Sequence, residues 1–220
     1  MIKTKSINNS DILSLIERKK NILKLKRLFD IVASLIGIVI LSPVLIFVSI
    51  IILISSPGPI IYKQIRVGKK GILFNICKFR TMVVNSDKQG LLITVGKDSR
   101  ITRTGFFLRK FKIDELPQLF NVIKGDMSFV GPRPEVEKYV KTYTCEQKII
   151  LEIRPGITDY ASIMFRDESS ILAKSSNPEK TYISEIVPKK IDLNLIYLRK
   201  MSILEDIKII LLTLWAIVKK

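Results

Sequence analysis

The hydrophobic positions of this chain are unevenly spread, and one block dominates. From Ile31 to Ile54 no residue carries a charge. Those residues span roughly 36 Å as a straight helix at about 1.5 Å per residue, enough to cross the hydrocarbon of a bilayer. A cleaved leader fits poorly: the block is long, starts late and lacks a small-residue cleavage pattern after it. Ser42-Pro43 stands at its midpoint. Pro43 has no N–H for the Val39 carbonyl and its ring crowds that carbonyl, so a bend is expected. The Ser42 hydroxyl is available to satisfy a freed backbone group, which is how such breaks survive in lipid.

The flanks of the block are basic on both sides. Arg18, Lys19, Lys20, Lys24, Lys26 and Arg27 precede it, and Lys63, Arg66, Lys69 and Lys70 follow. Positive flanks favour the cytoplasm, so a straight span would place one of them on the wrong side. A hairpin that enters and leaves by one face avoids the conflict. On this pattern alone the hairpin and a proline-kinked span are equally open. Residues 1–29 read as a basic amphipathic segment, with Ile22, Leu23, Leu25 and Leu28 set among lysines. Ile203 to Val218 is apolar but interrupted by Glu205, Asp206 and Lys208. It reads as a helix half sunk in the interface or packed on the core.

Ser55 to Pro59 breaks the apolar helix. Ile60–Arg66 and Ile72–Met82 read as strands around a Gly68-Lys69-Lys70-Gly71 turn. Polar stretches at 85–90, 96–105 and 169–180 read as loops. A helix is expected from about Phe106, and another from Leu116 to Ile123, where Gly125 supplies a stop. Helix returns after Pro188. The expected fold class is α+β, mostly helical. It comprises the 1–29 segment, a membrane helix at 30–56 and one compact catalytic domain at 57–220 with a small β-hairpin.

Composition narrows the partners. The formal charge is +17 and the pI about 9.9, which favours a polyanion. Mean hydropathy is +0.27, with the apolar residues gathered in one block, so an anionic membrane surface is preferred over nucleic acid. Histidine is absent. That excludes an imidazole base, a Ser-His-Asp triad and a His-ligated metal. Cys77 and Cys145 have no metal-type spacing and imply no disulfide framework.

The candidate chemistry lies between Arg109 and Pro134. Asp114 and Glu115 stand at or just before the start of the Leu116–Ile123 helix, with Pro117 marking the boundary. A helix start attracts phosphate and keeps a carboxylate ionised. Consecutive residues do not share a helix face, so the two carboxylates are expected to divide the labour. An ionised aspartate is a competent nucleophile toward phosphorus. With no histidine present, Mg²⁺ at Asp114 and Glu115, bridging to substrate phosphate, is the natural metal. Lys78, Arg80, Arg103, Arg109 and Arg133 are candidates to neutralise phosphate charge. Gly131-Pro132-Arg133-Pro134 is a stiff loop that presents Arg133 with little conformational loss. Taken alone, an Asp-Glu pair before a helix is more simply a cap.

The whole set of motifs resembles the bacterial sugar transferases of the small monotopic phosphoglycosyl transferase family. The resemblance runs through nearly everything after about residue 24. It includes Asp30, Ser42-Pro43, Gln64-x-Arg66-x-Gly68, Lys78-Phe79-Arg80-Thr81-Met82 and Thr102-Arg103-x-Gly105. It continues through Arg109, Asp114-Glu115-Leu116-Pro117-Gln118-Leu119, Lys124 to Ser128, Gly131-Pro132-Arg133-Pro134 and Arg154-Pro155-Gly156-Ile157-Thr158. It implies a re-entrant membrane helix hairpin with interfacial helices, on the cytosolic face of the bacterial inner membrane. It also implies transfer of sugar-1-phosphate from a UDP-sugar to polyprenyl phosphate, with UMP released. In that reading Asp114 is the nucleophile, Glu115 assists, Mg²⁺ sits at the carboxylates, and Lys78, Arg80, Arg109 and Arg133 hold phosphates or nucleotide. A homodimer stays open. One departure stands out: the common Gly-Trp-Ala-Gln after Pro-Gly-Ile-Thr is here Asp159-Tyr160-Ala161-Ser162, which leaves the sugar undetermined. A membrane phosphatase or pyrophosphatase using the same carboxylates, and a basic membrane-surface scaffold, are the competing readings.

Overall fold

The computed structural model describes residues 9–86, 90 and 92–219. The first eight residues of the expected 1–29 segment, and 87–89 of the expected 85–90 loop, lie outside them. Helix α1 (Asn9–Arg18) packs Ile12 and Ile16 on the main core. Helix α2 (Lys20–Ser55) carries the apolar block. The expected boundary near residue 30 falls inside it. No breaker separates the Ile22–Leu28 periodicity from the block that follows, so one helix takes both.

Pro43 lies inside α2, which is assigned as helix on either side of it. The Val39 carbonyl that the proline leaves without its usual donor accepts the Ser42 hydroxyl at 2.8 Å. Both halves of α2 are tied to the same body. In the first half, Lys26 Nζ meets Asp206 Oδ2 at 2.5 Å in a buried pair. Arg27 donates to the carbonyls of Val122 and Ile123 at 2.5 and 2.8 Å, and the Phe129 N–H donates to Asp30 at 3.2 Å. In the second half, Val48 and Ile52 pack with Phe79 and Leu108. Between these anchored ends, Val39 and Ile40 stand 72% and 69% exposed. By length and composition α2 is able to cross a membrane.

Strands β1 (Ile61–Val67) and β2 (Leu73–Phe79) form an antiparallel hairpin, in register from Ile61 opposite Phe79 to Val67 opposite Leu73. Its turn needs positive φ at Lys70 (56°) and Gly71 (78°), which glycine adopts without a Cβ clash. Helices α3 (Arg103–Lys110) and α4 (Gln118–Lys124) follow. A second, parallel pair joins β3 (Ser128–Val130) to β4 (Gly156–Thr158), with α5 (Glu137–Val140) between them in sequence. A Cβ on Gly156 would fall 2.1 Å from the Gly131 nitrogen, so the two loops close only because both residues are glycine.

The expected 169–180 loop is instead helical at both ends. After α6 (Tyr160–Met164) come α7 (Glu168–Leu172) and α8 (Pro178–Thr181). Leu172 is the reason: it inserts fully into the core, which fixes a segment that its polar neighbours would leave loose. Helix α9 (Val187–Lys200) supplies Ile191, Tyr197 and Leu198 to the same core. Helix α10 (Ile203–Val218) buries Ile209 and Asp206 and leaves Leu211, Leu214 and Trp215 exposed. It therefore packs one face on the core and offers an apolar face outward.

Candidate active site

Asp114 and Glu115 lie on a 3₁₀ turn, Ile113–Glu115, between α3 and α4. Lys112 precedes it in the left-handed conformation at φ 58°. Pro117 does stand at the N-terminal boundary of α4, and Gly125 ends the helix at φ 97°. The helix is only seven residues long, so its dipole is small. The positive field at the carboxylates comes from side chains instead.

Glu115 is fully engaged. Arg133 grips it with both terminal nitrogens: Nη2 meets Oε1, and Nη1 lies 3.3 Å from Oε2. Lys78 Nζ reaches Oε1 at 3.2 Å from strand β2. Burial alone would raise the Glu115 pKa. Arg133, Lys78 and Lys112 together outweigh burial and hold the carboxylate well below its usual range. The same burial lowers Lys78 to about 8, although the Glu115 charge works to keep it protonated.

Asp114 is different. It is 6% exposed, and its Oδ1 is buried with no hydrogen-bond partner. Burial raises its pKa, and the charge on Glu115 raises it further. Lys78, Lys112 and Arg109 pull it only part of the way back. The adjacent carboxylates thus occupy opposite states: Glu115 is clamped and strongly acidic, and Asp114 is unclamped and more basic.

Arg109 reaches this neighbourhood from α3, held by hydrogen bonds from Nε to Thr81 Oγ1 at 2.8 Å and from Nη1 to Thr94 Oγ1 at 3.1 Å. Arg80 is placed elsewhere. Its guanidinium donates to the Pro57 carbonyl at 2.9 Å and to the Ser56 carbonyl at 2.6 Å, fastening β2 to the end of α2. Arg103 is exposed at the start of α3, beside the exposed rings of Phe106 and Phe107. The Pro134 carbonyl accepts Arg66 Nη1 at 3.1 Å.

A second charged cluster adjoins the Arg133 loop, and sequence reasoning missed it. Glu135 lies 3.6 Å from Arg66 and 3.7 Å from Lys190, accepts the Tyr182 hydroxyl, and is linked through Lys190 to Glu168 at 2.5 Å. The available signal was the position of Glu135, directly after the stiff Gly-Pro-Arg-Pro loop.

Of the two carboxylates expected to hold a metal, Asp114 has an oxygen available for a hard divalent cation, whereas both oxygens of Glu115 are taken by Arg133 and Lys78. The unpartnered Asp114 Oδ1 is a buried hard donor, as such an ion requires. No group of three or more acidic or thiol side chains is arranged for a metal among the described residues. Substrate phosphate and water would therefore complete its coordination.

A family model described as bacterial sugar transferase matches residues 21–220. The chain belongs to this family. A UDP-N-acetylgalactosamine-undecaprenyl-phosphate N-acetylgalactosaminephosphotransferase of Aeromonas hydrophila is 43% identical over 143 residues, covering 64% of this chain and 34% of that protein. A UDP-glucose:undecaprenyl-phosphate glucose-1-phosphate transferase of Klebsiella pneumoniae is 35% identical over 219 residues, covering 97% of this chain and 44% of that protein. The sugar transferase EpsL of Bacillus subtilis is 38% identical over 189 residues, covering 86% of this chain and 85% of that protein. This sugar transferase thus spans less than half of the first two relatives, whose names specify different sugars.

Proposed function

We propose that this sugar transferase moves sugar-1-phosphate from a UDP-sugar to polyprenyl phosphate at the cytosolic face of the bacterial inner membrane. The observation that carries the reading is Asp114: a buried, unpartnered carboxylate in the field of Lys78, Lys112 and Arg109. A carboxylate left without a partner in such a place is poorly explained as a cap or a structural ion pair. The UDP-linked donors and undecaprenyl-phosphate acceptors named for the relatives support the substrate classes.

The reaction follows from the two carboxylates. An ionised Asp114 oxygen forms a bond to the phosphorus that carries the sugar, and the bond from that phosphorus to UMP breaks. UMP leaves with the electron pair. An oxygen of polyprenyl phosphate then forms a bond to the same phosphorus, and the carboxylate of Asp114 is released unchanged. Lys78, Arg109 and Arg133 neutralise charge on the diphosphate. Glu115 holds Arg133 and Lys78 in place and keeps them protonated. Mg²⁺ held by Asp114 would supply further charge neutralisation.

The anchoring of both halves of α2 to one body, with the Pro43 region between them exposed, supports a re-entrant, monotopic placement. The test incubates purified protein with a panel of UDP-sugars, Mg²⁺ and undecaprenyl phosphate, and measures UMP. Release that requires both donor and lipid phosphate is expected. No UMP from any donor overturns the transferase reading, and inorganic phosphate without an acceptor would identify a hydrolase instead. Cysteines placed at Lys20 and Pro57 should both be labelled from the cytosolic side only.

A further inference from the structure

The variant segment after Pro155-Gly156-Ile157-Thr158 has a structural role visible in Asp159. This residue is completely buried. Its Oδ1 accepts the Ser162 N–H at 2.6 Å, which caps α6. Its Oδ2 accepts the backbone N–H of Arg133 at 3.3 Å. A serine or asparagine would cap α6 about as well. A buried carboxylate is a costly way to cap a five-residue helix. The second bond needs another explanation.

The Arg133 loop supplies it. Pro132 and Pro134 have no N–H, so Arg133 carries the only backbone donor from 132 to 134. The loop is otherwise held through the Gly131 N–H on the Thr158 carbonyl at 3.1 Å, the Gly156 N–H on the Pro132 carbonyl at 3.0 Å, and Arg66 on the Pro134 carbonyl. The Gly156 bond holds the carbonyl end of the Pro132–Arg133 peptide group. Among the described residues Asp159 holds its N–H end, so the two bonds together fix the tilt of that group, and the same carboxylate lies close enough to act on the Arg133 guanidinium charge.

We propose that Asp159 is a positioning residue: it fixes the Arg133 backbone so that the guanidinium faces Glu115 and the donor diphosphate. The proposal rests on the transferase reading for its catalytic consequence. In chains with glycine at this position, the Arg133 N–H would need another acceptor.

The deciding variant is Asp159→Ser. Serine keeps one oxygen for the Ser162 N–H, so the α6 cap survives, but it has no second oxygen for Arg133. Full-length protein in lipid nanodiscs is used for two readouts. Amide hydrogen exchange resolved at Arg133 should accelerate at least tenfold, while exchange at Gly131 stays as in wild type. With the donor that the wild type uses, kcat/KM for the UDP-sugar should fall by about tenfold to a hundredfold, the range for a misplaced positioning group. The KM for polyprenyl phosphate should not change. Asp159→Asn, which is isosteric, serves if the serine variant does not fold, with the same expectations. Wild-type exchange at Arg133 overturns the positioning role, and so does wild-type donor kcat/KM with accelerated exchange. Should the wild type release no UMP with any donor, the transferase reading falls, and exchange at Arg133 still decides whether Asp159 fixes that loop.

Discussion

Arg133 and Glu115 form a two-pronged ion pair across 18 residues of sequence, with Nη1 3.3 Å from Oε2 and Nη2 on Oε1. Lys78 shares the same carboxylate. Removing the anion strands two half-buried cations, Arg133 with 29% and Lys78 with 19% of the side chain exposed. Breaking one side of a fully buried pair costs about 3–5 kcal/mol, and solvent at both cations reduces that cost here. Glu115→Ala should therefore unfold at markedly lower denaturant, and Glu115→Gln should lose less, because its amide oxygen still accepts one bond. Chemical denaturation in detergent checks both.

Asp114 should behave in the opposite way. Its folded pKa is raised above the unfolded value. The stability it contributes is present below the unfolded pKa and is lost as pH rises through the folded one. At neutral pH the ionised carboxylate opposes folding. Asp114→Asn should abolish UMP release and any covalent adduct, while leaving the melting temperature equal to or above wild type. A variant that is both active and less stable would remove Asp114 from the role of nucleophile.

The donor kcat/KM should be bell-shaped in pH. Ionised Asp114 increases as pH rises through its elevated pKa, which places the acid limb above the usual aspartate range of about 3.9. Lys78, lowered by burial to about 8, loses its charge as pH rises through that value, and phosphate neutralisation falls with it. Lys78→Arg substitutes a guanidinium that stays charged. It should move the alkaline limb upward without moving the acid limb, and a pH series on the two proteins checks this.

Arg80 and Arg103 should separate by kind of defect. Arg80→Lys loses the fork that holds the Ser56 and Pro57 carbonyls. Hydrogen bonds from a charged donor contribute about 1.5–3 kcal/mol each, so the variant should melt earlier with donor KM unchanged. Arg103→Ala should leave stability unchanged. It should weaken binding to vesicles containing anionic lipid, most visibly at low salt.

The elements legible in the sequence are those written in local pattern. Helix α10 has the bounds read from its apolar run, Ile203 to Val218. The hairpin turn and the Gly125 stop follow from residue type, and Ser42 lies where the Pro43 gap predicts it. The parallel pair of β3 and β4 was not legible, because strands of three residues are too short to show a period. The start of α2 lies ten residues before the expected residue 30, because continuous periodicity carried the helix through that boundary, and α4 starts two residues after the expected Leu116, behind a 3₁₀ turn. Asp114 and Glu115 are neighbours in the chain and could be singled out there, with Lys78 and Arg133 among the candidate cations, but which cation meets which carboxylate could not be read. That Arg133 and Lys78 meet Glu115, that Arg80 turns to Ser56, and that Asp159 reaches Arg133 all depend on chain segments brought together only by the folded core.

The Lys26–Asp206 pair has a consequence for biosynthesis. Its two members are 180 residues apart, and Tyr197, which also bonds Asp206 at 2.6 Å, is translated late as well. At roughly 5–20 residues per second, the ribosome needs on the order of ten seconds or more to deliver the partner after Lys26 emerges. Throughout that interval the amine at the base of α2 is without its buried partner, while the apolar stretch that follows it emerges within a few seconds. The latch closes only once α10 arrives, so the first half of α2 gains this anchor to the globular body last.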